Sequence, residues 1–300
     1  MYRHRIIPIV ILAILAGVAS ASEGGVLRFV YQDGSAGAPA TAEDLLATDQ
    51  PVGWHVQIEP MVRYISPSGD LTLPGTSASV EPVDLADVNL NAPRLMPGFD
   101  LSLRYDEWRL NAIGLFYDID GQFATADEAF TLGGVDFAAG QRSSVAHTYT
   151  QLDFRLARTI IDRPFRSRLN PERFPARFRL DVEGGLRLYD FEFEFENLDT
   201  GDRGSDDRTF FEPHAGVKAG LTLYDELTID LYTNFGFWPT DAEAFSWDIG
   251  VGFQWRPTEN VGLQIGYRST IFRLNEGSGS REFEWEGSYQ GLYAGLQFRF

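Results

Sequence analysis

Apolar and polar residues alternate along most of the chain after residue 52. Because successive side chains of a β-strand point to opposite faces, this alternation predicts strands that each have one apolar and one polar face. Each run is long enough for a tilted strand that crosses a bilayer, which needs ~9 to 11 residues. The runs are Val52–Ile65, Leu95–Tyr105, Trp108–Ile119, His147–Ile160, Phe178–Leu188, Phe211–Leu223, Leu227–Phe237, Phe245–Trp255, Val261–Ile271 and Leu292–Phe300.

The links between these runs alternate in length. Asp106-Glu107 and Asp225-Glu226 are very short, whereas residues 66–93 and 120–145 form long links. Short turns on one side and longer loops on the other are typical of membrane barrels, which also carry aromatic residues at both bilayer interfaces. Aromatic residues end the runs on the side of the chain termini (Trp54, Tyr105, Trp108, Tyr224, Trp255, Phe300) and on the opposite side (Tyr64, Phe237, Trp238, Phe245, Trp247).

These features predict an all-β fold, a transmembrane antiparallel up-and-down β-barrel of about ten strands, within a range of roughly eight to twelve. A soluble exported β-sandwich that binds a ligand is the alternative, because its strands alternate in the same way. The polar faces do not separate the two folds. Charged residues would face water in a sandwich and would line the lumen of a barrel, where they must be paired or hydrated.

The start of the chain indicates export. The basic residues Arg3 and Arg5, an apolar stretch at 6–16 and the small residues at 19–21 form the pattern of a cleaved signal peptide. Residues 1–21 are therefore predicted to be removed. Residues 22–51 are predicted to form a periplasmic extension or a partial plug, and residues 52–300 the barrel.

Composition excludes several function classes. The net charge of −18 argues against nucleic-acid binding, which requires a basic face that replaces counterions. The chain has no cysteine, so it forms no disulfide and carries no acylated lipoprotein terminus. His55, His147 and His214 lie in different runs, without the spacing of metal ligands. No metal site and no cofactor are predicted.

The last nine residues, Leu292-Tyr-Ala-Gly-Leu-Gln-Phe-Arg-Phe300, alternate apolar residues and end in phenylalanine. This segment resembles the C-terminal strand signature of bacterial outer-membrane β-barrel proteins. The resemblance implies insertion into the outer membrane of a Gram-negative cell envelope, with membrane lipids and the barrel assembly machinery as partners. It implies that Leu296, Phe298 and Phe300 form the assembly signal. It implies no activity, and the oligomeric state is left open.

Two segments alternate aromatic residues with carboxylates: 190–197, which reads DFEFEFEN, and 281–287, which reads REFEWEG. In both, the apolar parity is opposite to that of the adjoining run. β-bulges at Tyr189-Asp190, Gly287 and Gly291 would restore the parity, turn the aromatics outward and direct the carboxylates into the lumen. That arrangement predicts an acidic external mouth for cations. The mouth residues would be Glu192, Glu194, Glu196, Glu282, Glu284 and Glu286.

Two alternatives to the acidic mouth remain open. Without the bulges, the aromatics would face inward and form an apolar mouth suited to a hydrophobic ligand. In the other alternative, the strands project above the membrane, and their carboxylates are solvated and partly paired with Arg203, Arg208 and Arg281.

The predicted function is a structural barrel or a narrow, porin-like channel for small solutes or cations. A barrel-embedded hydrolase is the alternative. Asp118, Asp120 and His214 lie where the strands approach the external side, similar to the acidic residues and histidine of omptin proteases, although the omptin motifs are not reproduced. An enzyme is the less favoured reading.

Overall fold

A computed structural model describes residues 54–75, 82–165, 176–224, 226–239 and 242–300, without the side chains of 120, 121 and 242. Apart from Phe300, these residues belong to one compact unit, Pro51–Arg299. The predicted signal peptide at 1–21 and the extension at 22–51 lie outside the described residues. No helix long and apolar enough to cross a membrane occurs among the described residues.

Ten long strands form one antiparallel sheet in chain order, and the last strand pairs with the first, so the sheet closes into a barrel. The predicted transmembrane up-and-down β-barrel of about ten strands is confirmed. The long strands are β1 (Trp54–Thr72), β3 (Arg94–Tyr105), β4 (Trp108–Thr125), β7 (Arg142–Phe165), β8 (Ala176–Asn197), β9 (Arg203–Leu223), β10 (Leu227–Trp238), β11 (Ala242–Trp255), β12 (Val261–Glu276) and β13 (Phe283–Arg299).

Three short strands lie in the loops. These are β2 (Val83–Asp84), which pairs with β1, and β5 (Phe130–Leu132) and β6 (Val135–Phe137), which form a hairpin. We call the end of the barrel at which β1 begins the terminal end, and the opposite end the loop end. Asp106 occupies the tight β3–β4 turn at the terminal end with a φ of 53°, a left-handed conformation that aspartate tolerates. The predicted alternation of links is followed in part: the β3–β4 turn at the terminal end is short and residues 73–93 and 126–141 link strands at the loop end, but the β10–β11 link at the loop end, 239–241, is also short.

An apolar belt surrounds the barrel next to the terminal end. On β8, Val182 and Leu186 point outward and are 43% and 59% exposed, while Asp181, just before Val182, and Arg187, just after Leu186, point inward. On β13, Leu292 and Leu296 face outward in the same way. Exposed aromatic side chains, among them Trp255 at the terminal end, border this outer belt. A barrel surface with this polarity faces lipid.

Beyond the outer belt, the polarity of the two faces is exchanged. Phe191 and Phe193 of β8 point inward and are buried, whereas Glu192 and Glu194 point outward. The pairing of β8 with β9 and of β13 with β12 is continuous through these segments. The bulges predicted at Tyr189-Asp190, Gly287 and Gly291 are therefore wrong. The strands keep their parity, and the medium outside them changes from lipid to water.

The inward aromatics of β8 and β13 meet across the lumen. The ring centroid of Trp285 lies 5.0 Å from that of Phe191 and 5.7 Å from that of Phe193. Loop residues complete this aromatic core. The side chains that the loops bury in it are Leu85, Val88, Leu90, Leu132, Val135 and Phe137. The lumen at the loop end is thus filled by a hydrophobic core of the kind found in soluble proteins.

A glycine in the β5–β6 turn lets the hairpin close over this core. Gly133 has a φ of 57°, and a Cβ atom there would lie 1.9 Å from the ring of Phe195. A Cβ atom at Gly204 of β9 would lie 2.1 Å from the same ring. The ring of Phe195 therefore occupies space that only two glycines leave free.

The position of the polarity exchange predicts that an arginine introduced on the outward face of β8 will lower the free energy of unfolding within the outer belt but not beyond it. Val182→Arg places a charge in the middle of the outer belt and should lower the free energy of unfolding by about 2–4 kcal/mol. Glu194→Arg, on the same face of β8 but beyond the belt, should change it by less than about 0.5 kcal/mol. Urea titration of the barrel reconstituted in lipid vesicles measures both. Equal effects would contradict the assigned edge of the belt.

Candidate functional site

The six glutamates predicted to line an acidic mouth do not face the lumen. None of them is buried, and those on β8 and β13 lie on the outward face of the strands. Glu196 pairs with Arg203 at 2.8 Å, and Glu284 pairs with Arg273 at 2.9 Å. The inward orientation was wrong because water, and no longer lipid, surrounds these parts of the strands. The carboxylates are hydrated or paired on the outer surface.

The residues proposed for a hydrolase are not brought together. Asp118 is exposed on the outward face of β4, whereas His214 is buried on the inward face of β9. The side chain of Asp120 lies outside what the structure describes. His214 instead holds its Nε2 2.9 Å from Oδ1 of Asp153. Within the described part of the chain, no group of three or more His, Cys, Asp or Glu residues is arranged to hold a metal ion.

Below the aromatic core, a layer of buried charges crosses the lumen at the height of the outer belt. Arg187 lies at its centre and is fully buried. Its guanidinium lies 3.1 Å from a carboxylate oxygen of Asp153, 3.3 Å from one of Asp248 and 3.6 Å from one of Glu212. Its Nη1 also donates a hydrogen bond of 2.9 Å to the hydroxyl of Ser246. These groups join four strands, β7, β8, β9 and β11.

Two further arginines complete this ion-pair layer. Arg155 donates to Asp153 and, at 2.9 Å, to Glu183. Arg268 binds both oxygens of Asp248 through its Nε and Nη2. Each of these residues occupies an inward position of a strand whose outward neighbours are apolar. The alternation therefore directs the charges inward, and their mutual pairing makes the burial tolerable.

A cavity of about 410 Å³ lies between the ion-pair layer and the terminal end. Its lining reaches from Arg63 to His55, Arg104 and Arg299, which are within two residues of a strand end. Nine arginine or lysine side chains line it, against five carboxylates. Basic residues thus dominate this cavity, although the protein as a whole carries a net charge of −18.

Most of the lining charges are already paired. Asp181 binds Arg109 at 3.1 Å and Arg179 at 2.8 Å. Lys218 lies 3.2 Å from a carboxylate oxygen of Asp230. Glu59 accepts a hydrogen bond of 3.0 Å from the amide of Gln297, and it interacts with Lys218 and Arg63 at longer range, without an ion pair within 4 Å. The carboxylates are therefore occupied by partners other than Arg63.

Arg63 lies at the inner end of the cavity. It is 5% exposed, its Nε has no hydrogen-bond partner, and it forms no ion pair within 4 Å among the described residues. A buried guanidinium normally has carboxylate or carbonyl partners. Arg63 therefore lines the cavity without a direct ion pair among the described residues, and Asp248, which attracts it at longer range, is bound by Arg268.

A neutral histidine lies within the aromatic core. The ring of His147 stacks on Phe193 with centroids 4.3 Å apart. Its Nδ1 lies 3.2 Å from the backbone carbonyl of Glu192, so this nitrogen carries the proton and donates. Its Nε2 then accepts from the hydroxyl of Tyr289 at 2.9 Å. Burial lowers the pKa of His147 from 6.5 to about 3, against the weaker opposing effect of the Glu192 carbonyl.

Sequence reasoning missed the residues that carry this interior. Asp153, Arg187 and Asp248 were recognised as polar positions of their strands, but no local motif marks them as one layer. Arg63 was likewise one polar residue of its run. A signal was nevertheless present, because charged residues on the inward face of a lipid-facing run must pair with other such residues.

Comparison with known proteins gives no family. A scan of protein-family models and a search of curated proteins found no match. Among solved structures, Neisserial surface protein A is 12% identical, with 82% of this chain and 97% of that chain covered and a TM-score of 0.31. Ail of Yersinia pestis is 12% identical, with 81% and 98% covered and a TM-score of 0.28. The toluene transporter TodX of P. putida is 9% identical, with 81% and 89% covered and a TM-score of 0.27. Likeness at these TM-scores carries no argument about function.

The ion-pair layer predicts that its central arginine is indispensable. Arg187→Met leaves three buried carboxylates without their shared cation and should lower the free energy of unfolding by about 3–5 kcal/mol. Arg273→Met removes an exposed arginine that pairs with Glu284 and should cost at most about 1 kcal/mol. Urea unfolding in vesicles at neutral pH compares the two. A small effect at Arg187 would show that the layer is hydrated.

The buried histidine predicts acid sensitivity of the loop end. Below pH 6.5 the unfolded chain binds a proton at His147 while the folded barrel does not, until pH about 3. As the pH falls through this range, the free energy of unfolding should therefore decrease by about 1.4 kcal/mol for each pH unit because of this residue alone. His147→Gln should remove that part of the slope between pH 6.5 and 5, whereas the exposed His55→Gln should not. Identical slopes in wild type and His147→Gln would contradict the prediction.

Proposed function

We propose that the protein is an integral outer-membrane β-barrel that is closed to solutes and serves as a structural element of the cell envelope. The observation that carries this proposal is the aromatic core. Phe191, Phe193 and Trp285 meet across the lumen, and loop residues pack on them. Interiors packed in this way leave few voids larger than a water molecule.

The ion-pair layer supports the same function. A solute moving along the lumen would have to separate Arg187 from Asp153, Asp248 and Glu212, which are all buried. Separating a buried ion pair is strongly unfavourable, because each charge loses its partner in a medium of low dielectric constant. Two successive barriers, one apolar and one ionic, therefore oppose passage.

The strands extend well beyond the outer belt, which suggests what the barrel is for. β8 continues from Leu188 to Asn197, and ten residues of strand span roughly 30 Å along their own direction. The projecting part has a hydrophobic core and a polar outer surface, as a soluble β-protein has. We infer that it holds the external loops on a rigid platform above the membrane.

Location and assembly belong to the same proposal. The outer belt with its aromatic borders suits a bilayer, and the resemblance of the last strand to outer-membrane barrels favours the outer membrane. Leu296 and Phe298 point outward from β13. Their role with Phe300 as a signal for the barrel assembly machinery is proposed, as are the contacts with membrane lipids and cleavage of a signal peptide at residues 1–21.

The two other candidate functions have less support. A cation channel with an acidic mouth would need the glutamates of β8 and β13 inside the lumen, where the structure has aromatic residues instead. A hydrolase would need Asp118 and His214 on the same side of the barrel wall, and they lie on opposite sides. Neither site is assembled among the described residues.

Planar-bilayer recordings test the closed barrel. Protein whose folded state is verified by heat-dependent gel mobility should produce no discrete conductance steps at protein amounts at which a general porin produces many. The triple variant Glu192→Gln, Glu194→Gln, Glu196→Gln should behave identically, because these carboxylates line no pathway. Cation-selective steps in wild type that are lost in the triple variant would overturn the proposal and restore the acidic mouth.

A further inference from the structure

We propose that the cavity at the terminal end binds a small, water-soluble oxyanion, a carboxylate or a phosphate, on the guanidinium of Arg63. This role is separate from the closed barrel, because the cavity lies on the terminal side of the ion-pair layer and needs no passage through the lumen. Its volume of about 410 Å³ lies in the range of small-molecule sites.

The chemistry of the ligand follows from Arg63. Arg63 is 5% exposed, its Nε has no hydrogen-bond partner, and no carboxylate of the described residues lies within 4 Å of its guanidinium. A buried cation without a partner is unfavourable, and an anion that occupies the cavity removes this penalty. The planar guanidinium offers parallel donors that match the two oxygens of a carboxylate or phosphate.

The neighbours of Arg63 cannot supply this anion. Arg268 uses both oxygens of Asp248, and Arg155 uses Glu183. Glu59 is hydrogen-bonded to Gln297. The carboxylates nearest to the inner end are thus held by other groups, which keeps Arg63 available.

The lining also favours an anion over a cation. Nine basic side chains against five carboxylates leave an excess of positive charge around the cavity. Arg299 near the terminal end donates to the neutral amide of Gln57, at 2.9 Å. An anion entering from the terminal end therefore meets basic groups before it reaches Arg63, and such a field raises the local concentration of anions.

The barrel wall excludes a lipid as the source of the oxyanion. Every long strand pairs with two neighbours around the closed ring, so the described wall offers no lateral opening for acyl chains. A ligand must therefore be soluble in water as a whole and enter at the terminal end.

Equilibrium dialysis of the full chain in detergent micelles tests this site, with radiolabelled inorganic phosphate and succinate as probes and chloride holding the ionic strength constant. We expect saturable binding of at least one probe at about one per barrel. Arg63→Met should weaken the binding of the probe tenfold or more. Arg63→Lys should weaken it less, because the ammonium group keeps the positive charge but lacks the parallel N–H donors of the guanidinium.

A matched control separates the site from overall charge. Arg158→Met removes the same charge from an exposed arginine that pairs with Glu107 and does not line the cavity, so binding should be unchanged. No saturable binding in wild type, or equal binding in wild type and Arg63→Met, would overturn the proposal. Displacement of the probe by phosphatidylglycerol added to the micelles would assign the site to a lipid headgroup and overturn the water-soluble ligand.

A second measurement needs no variant, in case Arg63→Met does not fold. Wild-type barrel is treated with phenylglyoxal, and the modified arginines are mapped by mass spectrometry. Phosphate or succinate should slow the labelling of Arg63 several-fold and leave that of the exposed Arg158 unchanged. Equal labelling of Arg63 with and without the anions, or no labelling of Arg63 at all, would contradict an accessible anion site.

Discussion

The structure of this protein depends on the fixed alternation of inward and outward side chains along each β-strand. That alternation cannot change within a continuous ladder of hydrogen bonds, although the medium outside the strand changes from lipid to water. Side chains that point outward near the terminal end meet lipid, and those that point outward near the loop end meet water. Each strand must therefore exchange its apolar and polar faces at the edge of the outer belt. On β8 the exchange occurs between Leu188 and Phe191, with the ladder unbroken. The remaining features follow from this exchange.

Inside the barrel, the same exchange of polarity produces two layers, a polar one at the height of the outer belt and an apolar one beyond it. At the height of the outer belt, the inward positions are polar, and burial forces their charges into mutual contact around Arg187. Beyond the belt, the inward positions are apolar and pack as a hydrophobic core around Trp285. This hydrophobic core stabilises the parts of the strands that project above the membrane. Because His147 is buried in it as a neutral ring, the stability of this part of the barrel should fall in acid.

The charges of the interior are nearly balanced, and the exception is informative. Asp153, Asp181 and Asp248 each serve more than one arginine, so most of the basic residues are neutralised by contact. Arg63 has no such contact and lies where the ion-pair layer gives way to a cavity. Among the described residues, the lumen is thus filled at the loop end and has a cavity toward the terminal end, and Arg63 lines that cavity without a direct ion pair.

The amino-acid sequence by itself determined the fold class, the number of long strands, the tight β3–β4 turn and the part of each strand that forms the outer belt, but it placed several strand ends too early. These depend on alternation and on turn residues, which are local properties of the chain. It also contained the polarity exchange, in the aromatic segments of β8 and β13. Tertiary structure alone decided what the exchange means. Bulges in the strands and a change of medium from lipid to water predict the same sequence pattern. Only the closed barrel brings Phe193 against Trp285 and places Arg187 among three carboxylates and Arg63 beside none. The sequence does not reveal these contacts, because they join residues far apart in the chain.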